Sequence, residues 1–261
     1  MRAELLELYN YHELLFMIAL RDIKVRYKQS VMGFLWAILM PLLIVCAGIL
    51  VRYAYAVASH KPLDIMDVTT VATKSIPWTF LVSSIRFSSQ SLIGNHGLVT
   101  KVYFPKEIFP MAAVLSQLFD LCIASAVLVI LLAFAKVGLS PEIFWVAPLL
   151  AMTAMLAVGI GFLVSAGCLF FRDVKYVVEV FLTFAIFFTP VFYDVSMFGV
   201  KGRWLMLNPI APILEGFDAC IVHHQSPNLP WLAYSLSFAS AALLGGYVFF
   251  KHLEPAFAEN I

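Results

Sequence analysis

The sequence predicts an all-α integral membrane protein with six spanning helices, and three observations predict it. First, hydrophobic residues fill 62% of the 261 positions and charged residues only 13%, about half the roughly 25% usual in soluble domains. Such a chain cannot cover a water-facing surface with polar groups, and hydrocarbon is the solvent that suits it. Second, several runs are long enough to cross a hydrocarbon core ~30 Å thick, which takes ~20 apolar residues at ~1.5 Å each. Third, Lys and Arg in the connecting segments fall unevenly on the two sides. Composition excludes a soluble enzyme, a disordered chain and a nucleic-acid binder. A net charge of +1 gives no global electrostatic signal for a partner.

Residues 4–28 form an amphipathic helix. Leu5, Leu8, His12, Leu15, Ala19 and Ile23 recur on one stripe, while Arg21, Lys24 and Lys28 share another face. Asp22 and Arg26 are four apart and can pair. Such a helix lies in the headgroup layer with its basic side toward anionic phosphates. It is either a membrane anchor alone or a platform that also touches a cytoplasmic partner. The opening residues do not read as a secretory leader, because the short apolar run Leu14–Leu20 is followed by Arg21, Asp22, Lys24, Arg26 and Lys28.

Span 1 is 31–56, built on the uncharged run from Val31 to Val51. Span 2, 75–93, is the weakest, with six serines and Arg86 near its middle. It counts as a span because five crossings would leave the basic loops unsorted, and because a polar stripe is tolerable on a helix that faces other helices. A re-entrant or surface segment is the competing reading. Across 94–104 a short helix is expected, capped by Asn95 and stopped by Pro105. Val102, Tyr103 and Phe104 would stand exposed at the water's edge, either as a docking knob or as an interfacial anchor.

Span 3 is 108–135 and holds Asp120; span 4, 143–171, is uncharged. Span 5 is 176–193, with Glu179 at its cytoplasmic edge, and span 6 is 229–250. Between spans 5 and 6, residues 203–222 contain Pro209 and Pro212 and an apolar stretch too short to cross a bilayer. A pair of short re-entrant helices forming a polar-edged gate on the outer face is expected there.

With the N-terminus inside, ten basic residues (Arg2, Arg21, Lys24, Arg26, Lys28, Lys101, Lys106, Arg172, Lys175, Lys251) face the cytoplasm. Six (Arg52, Lys61, Lys74, Lys136, Lys201, Arg203) face out. Both termini are therefore expected in the cytoplasm.

The sequence carries no nucleotide-binding P-loop and no H-E-x-x-H. Cys46, Cys122, Cys168 and Cys220 are widely spaced and form no C-x-x-C pair, and adjacent His223 and His224 are unsuited to a shared metal. No catalytic or metal site is expected. Gly159 and Gly161 read as small-residue helix packing. Three ionisable residues lie in or near spans: Arg86, Asp120 and Glu179. A charge at Asp120 costs at least ~2.5 kcal/mol without a partner. Arg86 is the expected partner, since spans 2 and 3 are consecutive; the pair is either structural or part of a transport path. The aromatics Phe34, Trp36, Tyr53, Phe184, Phe188 and Tyr193 form interface belts or a stacking surface for sugar rings.

The motifs together resemble a known family. They are Arg21-Asp22-Ile23-Lys24-Val25-Arg26-Tyr27-Lys28 through Trp36 with Pro41; Pro77-Trp78; and Leu98-Val99-Thr100-Lys101-Val102-Tyr103-Phe104-Pro105-Lys106. Phe171-Arg172-Asp173, Thr189-Pro190-Val191-Phe192-Tyr193, and Leu207-Asn208-Pro209 with Glu215-Gly216-Phe217 complete the series. In this order and spacing they resemble the membrane subunit of ABC-2 type polysaccharide exporters, the O-antigen and teichoic-acid permeases, across nearly the whole chain.

The resemblance implies one ABC-2 (type V exporter) domain over 1–261, working as a homodimer in the bacterial inner membrane and docked to two cytoplasmic ABC ATPase subunits. ATP and Mg would bind those partners and no cofactor would bind this chain. Residues 4–28, with Arg21, Lys24, Arg26 and Lys28, would be the interface helix. Asn95, His96, Leu98, Lys101, Val102, Tyr103 and Phe104 would form the coupling helix, and the aromatics of spans 1 and 5 would line the canal. The cargo would be a glycan on undecaprenyl diphosphate, such as O-antigen; nucleic acid would not be a partner. Arg86 and Asp218 depart from the family pattern, where an uncharged and a basic residue are expected. Alternatives are a teichoic-acid or capsular exporter, a small-molecule ABC-2 exporter, an ion-coupled transporter working through Arg86, Asp120 and Glu179, or a membrane scaffold.

Overall fold

A computed structural model describes residues 10–28, 35–60, 62–101 and 104–259. Among these residues the regular structure is entirely helical. In chain order the α-helices are α1 (His12–Lys28), α2 (Leu35–Ser59), α3 (Ile65–Ser91), α4 (His96–Lys101), α5 (Ile108–Phe134), α6 (Val146–Phe170), α7 (Val174–Ala185), α8 (Ala211–Ile221) and α9 (Leu229–Leu253). Among the described residues, four helical stretches are long and apolar enough to cross a bilayer: Leu35–Ser59, Ile108–Phe134, Pro141–Phe170 and Leu229–Phe257.

The weakest expected span, α3, turns out to be the central pillar. Its 27 residues extend about 40 Å and pack on α2, α5, α6, α7 and α8. Ser75, Ser84, Ser88, Ser89 and Ser91 are all buried. Several hydroxyls bond back to carbonyls of their own helix, Ser75 to Val71 at 2.6 Å and Ser91 to Ser88 at 2.8 Å, which satisfies them without water. Hydropathy undervalues α3 because its polar side faces protein rather than lipid.

The helix starts at Ile65, ten residues before the expected boundary. Asp64 caps it, and Asp67 reaches back to the Asp64 N–H at 3.1 Å, completing a capping box. Lys74, expected in an outer loop, is inside the helix and 0% exposed.

Helices α6 and α9 approach closely where glycine removes the side chain. A Cβ on Gly159 would lie 2.5 Å from the Ala242 carbonyl carbon, and one on Gly246 would lie 2.3 Å from the Gly159 oxygen. Gly161 similarly faces Ser88 Oγ of α3 at 2.9 Å, so both glycines of the pair serve helix packing.

Span 5 differs from expectation. α7 and a 3-10 turn end at Phe188, and residues 189–193 form a turn. Thr189 is extended (φ −119°, ψ 135°) because Pro190 disfavours helical geometry in the residue before it. The segment after this turn is a 3-10 stretch, Val195–Leu207, kinked at Gly199 (φ 54°), followed by α8.

α1 does not lie apart from the bundle. It packs along α5; Ile18 and Ala19 are buried, with Tyr11, Leu14 and Leu15 packed beside them. Leu15 and Ala19 belong to the expected stripe. His12 is exposed, and Leu5 and Leu8 lie outside the described residues. At this end the aromatic rings of α6, α9 and the 3-10 turn Glu254–Glu259 that follows it interlock: Phe162 and Phe250 are 5.3 Å apart, Phe250 and Phe257 5.0 Å.

Candidate functional site

Four features compete for attention: the α4 protrusion, the intramembrane charges, a groove along α7, and a charge cluster near α8.

The α4 region is shorter than expected, a 3-10 turn at Ile93–Asn95 leading into α4. Asn95 does not cap α4. Its Nδ2 donates to the Ser91 carbonyl at 2.7 Å, so it closes the end of α3 instead. His96 and Leu98 are exposed, and Val99 is buried against the bundle. Val102 and Tyr103 lie outside the described residues, and Lys101 is described as backbone only. Phe104 is not at the water's edge. It is 6% exposed, packs edge-on against Phe109 at 5.4 Å, and lies beneath Lys106 Nζ at 4.7 Å. Glu107 then joins this segment to the end of α9, where Lys251 Nζ bridges Glu107 (2.9 Å) and Glu254 (2.8 Å).

On α1, Arg21, Lys24 and Lys28 do share a face, lining a groove with Met17, Leu20 and Val25. Asp22 pairs with Arg21 at 2.7 Å rather than with Arg26. Arg26 turns inward and supplies the missing partner of Asp120, at 2.5 Å. Tyr27 donates to the same carboxylate. Burial and then Asp120 push the Tyr27 phenol up to about 12, keeping it a donor. The Gln117 amide fits when its oxygen accepts from Arg26 Nη2 (2.6 Å) and its nitrogen donates to Asp120 (3.2 Å). The expected Arg86–Asp120 pair is therefore wrong: Arg86 Nε donates to Glu179 at 3.0 Å. Asp120 and Glu179 are both paired, but across α1–α5 and α3–α7.

The aromatics do not form one surface. Phe184 and Phe188 line a groove of about 990 Å³ with Trp78, Leu81, Phe181 and Asn208. Trp36 lines a separate cavity of about 350 Å³. Tyr53 is exposed elsewhere, Tyr193 donates to the Phe187 carbonyl at 2.9 Å and packs on Phe198, and Phe34 lies outside the described residues.

Sequence reading missed the charge cluster near α8. Lys74 Nζ lies 2.7 Å from Asp194 Oδ1, 2.7 Å from Glu215 Oε1 and 3.8 Å from Asp218 Oδ2. Arg52 donates to the Phe192 carbonyl (2.9 Å), Asp67 (3.1 Å) and Asp194 (2.8 Å). Burial alone would raise the Asp194 acid, but Lys74 and Arg52 outweigh it and hold the carboxyl below its ordinary range. His223 Nε2 adds a 3.4 Å contact to Asp218, and that hydrogen bond lifts the imidazole above its usual value. One signal was available: the sequence reading puts Arg52 and Lys74 on the same expected side of the membrane as Asp194, Glu215 and Asp218. The acidic residue at 218 faces Lys74. The cluster ties α2, α3, the turn after α7, and α8 together.

Comparison with known proteins adds a further finding. The family described as ABC-2 type transporter matches residues 13–222. An O-antigen export system permease protein RfbA of Klebsiella pneumoniae is 29% identical over 252 residues, covering 95% of this chain and 94% of that protein. The protein of the same description from Myxococcus xanthus is 27% identical over 262 residues, covering 98% of each. A second from Klebsiella pneumoniae is 30% identical over 253 residues, covering 95% and 94%.

Proposed function

Because this chain belongs to the ABC-2 type transporter family, we propose that it is the membrane subunit of an ATP-driven exporter of a lipid-linked polysaccharide. Two copies of the chain form the conduit, two cytoplasmic ATPase subunits supply the energy, and the glycan travels on a polyprenyl diphosphate across the inner membrane. The observation that carries this reading is end-to-end similarity to O-antigen export permeases, over 94% or more of both partners in each comparison.

The geometry supports a transmission route. α4 presents His96 and Leu98 outward while Val99 anchors it to the bundle. α3 runs directly into α4, and the Glu107–Lys251 bridge links the following segment to α9. A push on α4 from a closing ATPase dimer would move α3 and α5 as one rigid unit. On this reading α4 and α1 face the cytoplasm, α3 and α7 complete a set of six spans, and α8 is an outer gate. ATP and Mg bind the partner.

The test is genetic and chemical. A bacterium lacking this chain should lose its surface glycan and accumulate the lipid-linked glycan on the cytoplasmic leaflet. Plasmid-borne chain should restore export, and only when the ATPase partner retains its nucleotide site. Unchanged surface glycan in the deletion strain would refute the reading.

A further inference from the structure

The cavity of about 350 Å³ lies within one protomer, between the end of α1, the first half of α2 and the middles of α3 and α5. It does not coincide with the apolar groove along α7. Trp36 and Trp78 supply flat walls, and Arg26, Ser83, Arg86 and Asp120 supply polar groups. Its volume falls within the range of small-molecule sites, roughly 300–1,000 Å³.

The polar groups are not equally committed. Asp120, the only carboxylate in the lining, already receives Arg26 and Tyr27. Arg26 is further held by Ser116 (3.3 Å) and the Phe87 ring (4.1 Å). Arg86 differs. It gives only Nε to Glu179, which stands outside the lining, so both Nη groups lack a partner among the described residues. Its side chain is 42% exposed. On α2, Pro41 has no N–H to give the Ala37 carbonyl, and both residues line the cavity. The groups open to a ligand are thus the two Arg86 Nη groups, which suit a phosphate oxyanion, and aromatic faces suited to a sugar ring.

Depth agrees with this chemistry. Arg86 is five residues before the end of α3, and Glu179 five after the start of α7. Both lie about 7.5 Å in from the same end of the bundle, near the phosphate level of the inner leaflet on the transport reading.

We infer that this cavity binds a sugar phosphate, with Arg86 gripping the phosphate or diphosphate oxygens and Trp36 backing the ring. The inference rests on the transport reading and deepens it: the site would hold the sugar-diphosphate end of the cargo before translocation. A soluble sugar phosphate or a bulk phospholipid headgroup shares part of that chemistry.

The test uses the full chain in phosphatidylcholine nanodiscs. The probe is N-acetylglucosamine joined through C1 to farnesyl diphosphate, and binding is read by isothermal titration calorimetry. Saturable binding is expected. Arg86→Gln should weaken it about tenfold or more, the range for losing a charged hydrogen-bond donor. Trp36→Ala should weaken it too. Glu179→Gln, which releases the guanidinium, should bind at least as tightly as the native chain. The double variant Arg86→Gln/Glu179→Gln leaves no unpaired acid and should bind as weakly as Arg86→Gln, separating recognition from misfolding. Glucose 1-phosphate should compete weakly and farnesol not at all. Equal competition by phosphatidylglycerol would reduce the cavity to a headgroup site and overturn the inference. So would binding indifferent to Arg86→Gln, or no binding. Surface glycan is scored separately in cells: intact export without probe binding sinks this inference alone, whereas binding by a chain dispensable for export sinks the transport reading alone.

Discussion

Lys74 Nζ, on a side chain with 0% exposure, lies 2.7 Å from Glu215 Oε1 and so pins α8 to α3. A lone buried ammonium would be untenable in an apolar bundle. Here Asp194 and Asp218 share the charge, and the cluster fixes the short helix that is read as the outer gate.

Replacing Lys74 with Met should leave Asp194, Glu215 and Asp218 facing one another. Breaking a buried pair in this way typically costs about 3–5 kcal/mol. The detergent-solubilised variant should melt well below the native chain, and adding Glu215→Gln should recover part of the loss. A native melting temperature for Lys74→Met would mean that the pin carries no weight.

The Arg26–Asp120 contact should appear as a coupling between distant segments. A double-mutant cycle of Arg26→Gln and Asp120→Asn should give an interaction energy of roughly 0.5–3 kcal/mol. The Arg86→Gln and Asp120→Asn pair should be additive within about 0.5 kcal/mol, because Arg86 bonds Glu179 through Nε and makes no bond to Asp120. Thermal or chemical unfolding in detergent reads both cycles, and coupling through Arg86 instead would restore the pairing that adjacent spans suggest.

Glycines separate close packing from mere composition. Gly159→Ala forces a methyl group against the α9 backbone and should cost about 1–3 kcal/mol through overpacking. Gly245→Ala, with nothing within 4 Å of the added atom, should be neutral or stabilising by up to about 1 kcal/mol. Equal effects at both positions would contradict the α6–α9 contact.

At the α4 end, Phe104→Ala should act as a core deletion, costing about 3–5 kcal/mol. It should not act as a docking lesion. Leu98, 38% exposed, is the better probe. Leu98→Asp should change stability by about 0.5 kcal/mol or less yet separate ATP hydrolysis from export when the complex is assayed in proteoliposomes. Normal export by Leu98→Asp would remove α4 as the docking element.

His223 should make the α8 end of the bundle sensitive to pH. Its folded-state value is raised by Asp218, so its stabilising contribution is complete below the ordinary imidazole value of 6.5. That contribution is lost as pH rises through the higher folded value. Melting temperature measured from pH 5 to 9 should fall across that window, and His223→Gln should flatten the fall. An identical profile in the variant would place the titration elsewhere.

Much of this architecture was legible in the residues. The apolar runs of α2, α5, α6 and α9 announce themselves because a solvent of hydrocarbon demands length and apolarity from a single segment. Pro190 and Pro209 fall in real breaks and Pro212 sits in the first turn of α8, since proline acts on its immediate neighbours. α3 was harder to read, because its serines are buried by other helices and hydropathy scores a helix as though it faced lipid alone. Phe104 misled for the same reason: nothing local shows that Phe109 lies beneath it.

What the sequence determined by itself is therefore the solvent, the main crossings and the breaks, all of which depend on near neighbours along the chain. Only the tertiary structure decided which charges meet. Arg26 finds Asp120 across 94 residues, Arg86 finds Glu179 across 93, and Lys74 finds Glu215 across 141. A charge in an apolar bundle takes whichever opposite charge the packing of helices brings within reach, and that packing is set by side-chain shape and glycine contacts that no single segment contains.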